Sequence, residues 1–172
     1  MRSALRRVLA FATLVTIPSA AVAQVNFSGE WELVDSSGEV DPAWMSPIGS
    51  RGSIVQTSQT ITIAPALSRS RSQGERAYTL DGSETQYGVE TAAGDTAGYA
   101  ARSRWVSTAL AITTTALPLA GSKEWESLMT LSLNGDGQLE ILMVGPNLWP
   151  SETASTHRFV YKKTAQSTPG AR

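Results

Sequence analysis

The sequence predicts an all-β protein: an antiparallel up-and-down β-barrel of about eight to ten strands, with a short helix after strand one. Three observations carry this. Apolar and polar residues alternate with period 2 in run after run. Gly-, Asn- and Asp-containing turns separate those runs. The runs are short and evenly spaced, as in a meander folded into a barrel or sandwich.

The 172-residue chain begins with a segment that is not part of that barrel. Arg2, Arg6 and Arg7 form a basic start, residues 8–17 are apolar, and Ala21-Val22-Ala23 is a small-x-small site before Gln24. This is the pattern of a cleavable secretory signal peptide over residues 1–23. The apolar run falls short of the roughly 20 residues that a membrane-spanning helix needs, so no membrane span is expected. The chain is therefore read as exported, to a periplasm or to the extracellular space. It has no cysteine, which excludes disulfides, thiolate metal sites and thiol catalysis. Its stability must come from an ordinary core.

The formal net charge is −1, and removal of the leader takes three arginines with it. A mildly acidic protein is a poor partner for nucleic acid or for anionic membranes. The single histidine and the scattered carboxylates show no metal-ligand spacing, so neither a metal nor a cofactor is expected.

The first strand is read over residues 26–34. Phe27, Gly29, Trp31 and Leu33 fall on one face, and Ser28, Glu30 and Glu32 on the other. A linker over 35–52 follows. In it Asp41 can cap a helix and Pro42 suits its first position, with Ala43, Trp44 and Met45 completing one turn. Shorter strands are expected at 53–58, 60–64, 76–80, 83–89, 99–105 and 157–163. Leu110 and Ile112 alternate with Ala109, Ala111 and Thr113. Ser127, Met129 and Leu131 alternate with Leu128, Thr130 and Ser132. Leu139, Ile141 and Met143 alternate with Glu140 and Leu142. Asp81-Gly82 and Asn134-Gly135-Asp136-Gly137 supply hairpin turns; the second lacks the ligand ladder of a calcium loop. The domain spans residues 24–163, and 164–172 reads as a disordered tail.

Phe27-Ser28-Gly29-Glu30-Trp31-Glu32-Leu33 resembles the opening strand of the calycins, which include the lipocalins and fatty-acid-binding proteins. It is similar above all to small exported bacterial proteins with lipocalin-like domains. The resemblance implies that Trp31 packs across one end of the barrel and that Gly29 allows close approach of a neighbouring chain. It also implies that Arg158 closes the barrel by stacking on Trp31, and that the interior takes a small hydrophobic or amphipathic ligand. The fatty-acid clamp of an Arg and a Tyr two apart on the last strand is missing: Arg158 and Tyr161 are three apart and point to opposite faces.

The candidate ligand-binding residues are Tyr99, Ala101, Ser103 and Trp105, which share one strand face, together with Trp44. Small Ala101 and Ser103 on an inward face leave space for a ligand, or else mark an edge-like strand. Trp44 and Met45 read as a lid over the barrel or as a plug in its end. No nucleophile–base pair is visible, so the chain is not read as an enzyme. His157 has no nameable partner, and Ser68-Arg69-Ser70-Arg71-Ser72 reads as a solvated turn. The alternative to a carrier is an interaction module, an inhibitor or envelope accessory protein. Its barrel would be scaffold, and a protein partner would be held by the Trp44 and Trp149 loops.

Overall fold

The computed structural model describes residues 24–37, 46–66, 74–90, 94–116, 126–146 and 154–164. They form ten antiparallel strands and, among the described residues, no helix. The strands are β1 (Gly29–Ser37), β2 (Arg51–Gln56), β3 (Thr60–Pro65), β4 (Arg76–Thr79) and β5 (Glu84–Glu90). They continue as β6 (Thr96–Val106), β7 (Ala109–Ala116), β8 (Glu126–Leu133), β9 (Leu139–Pro146) and β10 (Ala154–Lys163). The helix expected over Asp41 to Met45 lies outside the described residues, as do the signal peptide and residues 165–172.

The strand order is β4-β3-β2-β1-β10-β9-β8-β7-β6-β5. Each strand thus pairs with its sequence neighbour, and β1 pairs with β10 to close the meander. One seam remains, between β4 and β5, where no ladder runs. Side chains cross it instead. The Thr79 amide donates to Thr85 Oγ1 at 3.3 Å, Thr79 Oγ1 donates to the Ser83 carbonyl at 2.9 Å, and Ser103 Oγ donates to the Thr79 carbonyl. The result is a nearly closed barrel.

The alternation seen in the sequence sets its inside and outside. Leu110, Leu131, Ile141 and Phe159 stand opposite one another along successive strands and are almost wholly buried. Burial of such side chains contributes roughly 1.5–3 kcal/mol each. Polar neighbours face out and pair there: Arg51 with Glu32, Arg102 with Glu84, and Arg158 with Glu140 and Asp35.

The two ends of the barrel differ in their connections. At one, the turn end, β2–β3, β4–β5, β6–β7 and β8–β9 are joined by residues 57–59, 80–83, 107–108 and 134–138. These turns are built by side-chain acceptors. Asn134 Oδ1 takes the amides of Asp136 and Gln138, both at 3.0 Å, and Asp81 Oδ1 takes that of Ser83 at 2.9 Å. The longer connections lie at the far end. One of them returns inward: in residues 46–50, Ser46, Ile48 and Gly49 are buried, Ile48 completely. Tyr161 holds this strap. Its hydroxyl contacts Ser46 Oγ and donates to the Gly49 carbonyl at 3.1 Å. Burial pushes the Tyr161 phenol above its ordinary pKa, so it remains a neutral donor.

Several sequence expectations shift. The first strand starts at Gly29, not Asn26, although Phe27 is fully buried ahead of it. Gln56 fixes that entry by accepting the Phe27 amide at 3.0 Å and donating to the Val25 carbonyl at 2.9 Å. Thr164 still donates to the Glu30 carbonyl, at 2.9 Å, so the sheet holds one residue of the expected tail.

Candidate functional site

Gly29 and Trp31 lie at the turn end. Trp31 is buried, and its indole donates to the Phe27 carbonyl at 2.9 Å. Gly29 has φ 153°, which side chains rarely adopt, and an added Cβ would run into the Lys163 side chain. Lys163 lies there because its ammonium sits 5.7 Å from the centre of the Trp31 ring, a cation–π contact.

Arg158 does not have that role, and the expectation is corrected. Phe159 and Tyr161 point inward and are fully buried, so Arg158 points outward. There its guanidinium donates to Glu140 Oε1 at 2.8 Å and to Asp35 Oδ2 at 3.4 Å. The hydrogen bond from Arg158 holds the Glu140 carboxyl below its usual range.

The interior of the far end is different. Tyr99, Ala101, Ser103 and Trp105 share the inner face of β6, as expected: Tyr99 opposes Ala116, Ala101 opposes Thr114, Ser103 opposes Ile112 and Trp105 opposes Leu110. Beyond that their circumstances diverge. Ser103 Oγ is committed to the Thr79 carbonyl. Trp105 stacks on Phe27, with centroids 5.9 Å apart and planes 6° from parallel, and so belongs to the turn end. Its Nε1 is buried and finds no acceptor among the described residues. Tyr99 stacks on Tyr87 at 5.4 Å. Trp44 and Trp149 lie outside the described residues.

Two inward residues of β4 extend this wall across the seam. Arg76 and Tyr78 are two apart and face inward opposite Ile63 and Ile61. The Arg76 guanidinium lies 5.3 Å from the centre of the Tyr87 ring, and Tyr78 meets Tyr87 edge-on at 6.3 Å. Burial pushes the Tyr78 phenol upward. The sequence signal for this cluster was the Arg76-x-Tyr78 spacing, but nothing in the sequence showed that Tyr87 lies across from it.

The inward side chains at the far end are small or only partly covered. Ala97, Ala101, Thr114, Ala116, Ser127 and Gly145 follow one another around β6 to β9, and Tyr87, Tyr99, Thr114, Ser127 and Met143 retain partial exposure. Among the described residues no group of three His, Cys, Asp or Glu side chains converges. The wall can therefore offer apolar contact, ring faces and a few hydroxyls to a guest. The chain matches no protein-family model, and a search of curated proteins finds no relative.

Proposed function

We propose that this chain is an exported carrier that binds a small hydrophobic or amphipathic molecule at the far end of its barrel. The observation that carries the reading is the partly exposed inner wall formed by Tyr87, Tyr99, Thr114, Ser127 and Met143 beside small Ala97, Ala101 and Ala116. A filled barrel would bury Tyr87, Tyr99, Thr114, Ser127 and Met143, as this one buries Phe27 and Trp31 at the turn end. Apolar walls with a few polar groups are the usual character of ligand sites.

Other features support parts of the reading. The basic start, apolar run and Ala21-Val22-Ala23 site argue for export. Val25, just beyond that site, is already tied to Gln56. The buried Trp31 beside Gly29 suits calycin-like kinship. Ser155 Oγ lies 3.1 Å from His157 Nε2 and 3.4 Å from the Gly145 carbonyl oxygen, and its proton can go to either. We read the chain as a binder and not as an enzyme, on the apolar character of the wall.

The test is a native mass spectrum of protein from its own host, followed by titration with fluorescent fatty acids and fatty alcohols. The expected result is a co-purified small molecule, or saturable probe binding that Ser127→Phe, at a partly exposed position of the wall, abolishes while the fold persists. An empty protein that binds no probe would overturn the carrier reading.

A further inference from the structure

One inner rung of the barrel places three soft or borderline donors side by side. His157 stands directly opposite Met143, and Met143 directly opposite Met129. All three point inward: His157 is 4% and Met129 7% exposed, and Met143 is partly buried against the core. Directly opposed residues have Cβ atoms about 4.5–5.5 Å apart. The flexible thioether arms can therefore converge with the imidazole on one point.

The histidine is held in place by its neighbours. Ser155 Oγ lies 3.1 Å from His157 Nε2 and 3.4 Å from the Gly145 carbonyl oxygen. When the ring donates from Nε2 to Ser155, the lone pair of a neutral ring lies on Nδ1. Metal-bound histidines are characteristically oriented by such a hydrogen bond from the other ring nitrogen. Phe159 fixes the ring further, stacked at 6.5 Å with planes 17° apart.

We propose that His157, Met143 and Met129 form a binding site for a soft monovalent cation, Cu(I) or Ag(I). Thioether sulfur selects such ions over Zn(II), Ca(II) or Mg(II). Charge favours them too, because a single positive charge is far less costly to bury among apolar neighbours than a double one. The chain has no cysteine, so methionine is its only source of soft sulfur. Residue spacing did not reveal the site, because its ligands come from three strands and two of them are side chains that ordinarily fill cores. This inference does not rest on the carrier reading and survives its failure, although Met143 belongs to both sites.

Silver(I) nitrate in chloride-free buffer is the direct probe, added to protein carrying 13C-methyl methionine. One equivalent should bind, moving the Met129 and Met143 methyl signals together and leaving Met45 in place. Met143→Leu and His157→Gln should each weaken binding about tenfold or more, while Met45→Leu should not. Met→Leu conserves volume, so that variant should fold; circular dichroism checks this for both. Cu(I), delivered anaerobically against a chromophoric chelator, should compete with silver, and Zn(II) should not. Absence of silver binding, a shift confined to Met45, undiminished affinity in folded Met143→Leu, or equal competition by zinc would each overturn the site.

Discussion

The two ends of this barrel are built from the same strands yet solve opposite problems. At the turn end the connections are short, Phe27 and Trp31 fill the interior, and Lys163 covers the Trp31 ring. At the far end the inward positions of β6 to β9 pass from Ile112, Leu131 and Ile141 to Thr114, Ser127 and Gly145. The strap at 46–50 fills the β1–β3 side of that end, and the β5–β8 side keeps its small residues. One sheet thus carries a stability end and a site end, and substitutions should divide the same way.

The largest contrast is expected between Leu131→Ala and Ser127→Ala, two inward positions of β8. Leu131 is completely buried, and its truncation should cost about 2–5 kcal/mol through lost transfer energy and the cavity left behind. Ser127 is partly exposed, and its truncation should stay within about 0.5 kcal/mol of wild type. Urea unfolding followed by tryptophan fluorescence measures both. Equal costs would mean that the far end is packed like the turn end, and would weaken the carrier reading along with the comparison.

The division was partly legible in the sequence. Met129, Leu131, Ile141 and Leu110 were readable as inward because alternation fixes parity within a strand. The face of Tyr99, Ala101, Ser103 and Trp105 was readable for the same reason. Parity does not say which neighbour each residue meets, because that depends on register and on connection lengths. Hence Tyr87 opposite Tyr99, and Met143 between Met129 and His157, emerged only from the fold. Ile48 was hidden differently. It is one apolar residue among Ser, Pro and Gly, with no period to mark it, and its burial depends on Gly52 leaving room.

That dependence gives the second prediction. A Cβ on Gly52 would meet the Ala64 carbonyl oxygen, and would lie 2.6 Å from Ile48 Cγ2 and 2.9 Å from the Ile48 carbonyl oxygen. Backbone cannot yield as a flexible side chain can. Gly52→Ala should cost about 1–3 kcal/mol as overpacking and should loosen the strap more than the turn end. Hydrogen exchange can localise the effect: Gly49, whose amide donates to Ser46 at 3.2 Å, should lose protection before Gln138 does. Equal loss at both ends would show that the strap and the turn end unfold together.

A smaller effect of opposite sign is expected in the turn between β6 and β7. Ser107 adopts φ 57°, a left-handed conformation that costs an ordinary residue about 1–2 kcal/mol. Ser107→Gly should relieve part of that strain and gain up to about 1 kcal/mol, less the entropy glycine adds to the unfolded chain. A higher urea midpoint with an unchanged slope is the expected readout. Ligand-probe affinity should not move, since this turn lies at the end of the barrel away from the proposed site.

The smallest effect concerns the outer wall, where Arg158 pairs with Glu140. The carboxyl's folded-state pKa is depressed, chiefly by its hydrogen bond from Arg158. A depressed carboxylate adds stability above its ordinary value, and that stability is lost as pH falls through the lowered folded value. Wild type should therefore exceed Glu140→Gln in urea midpoint at neutral pH, and the gap should close in acid below the ordinary value of 4.5. The side chains are 37% and 29% exposed, so solvent screens the pair and the gap should be slight. About 1 M salt should shrink it further. An arginine buried across Trp31 would behave otherwise, since stranding its charge by removing a partner would be costly and largely insensitive to salt. A small, salt-sensitive gap is thus what an Arg158 outside the barrel requires, and a large, salt-resistant one would return it to the interior.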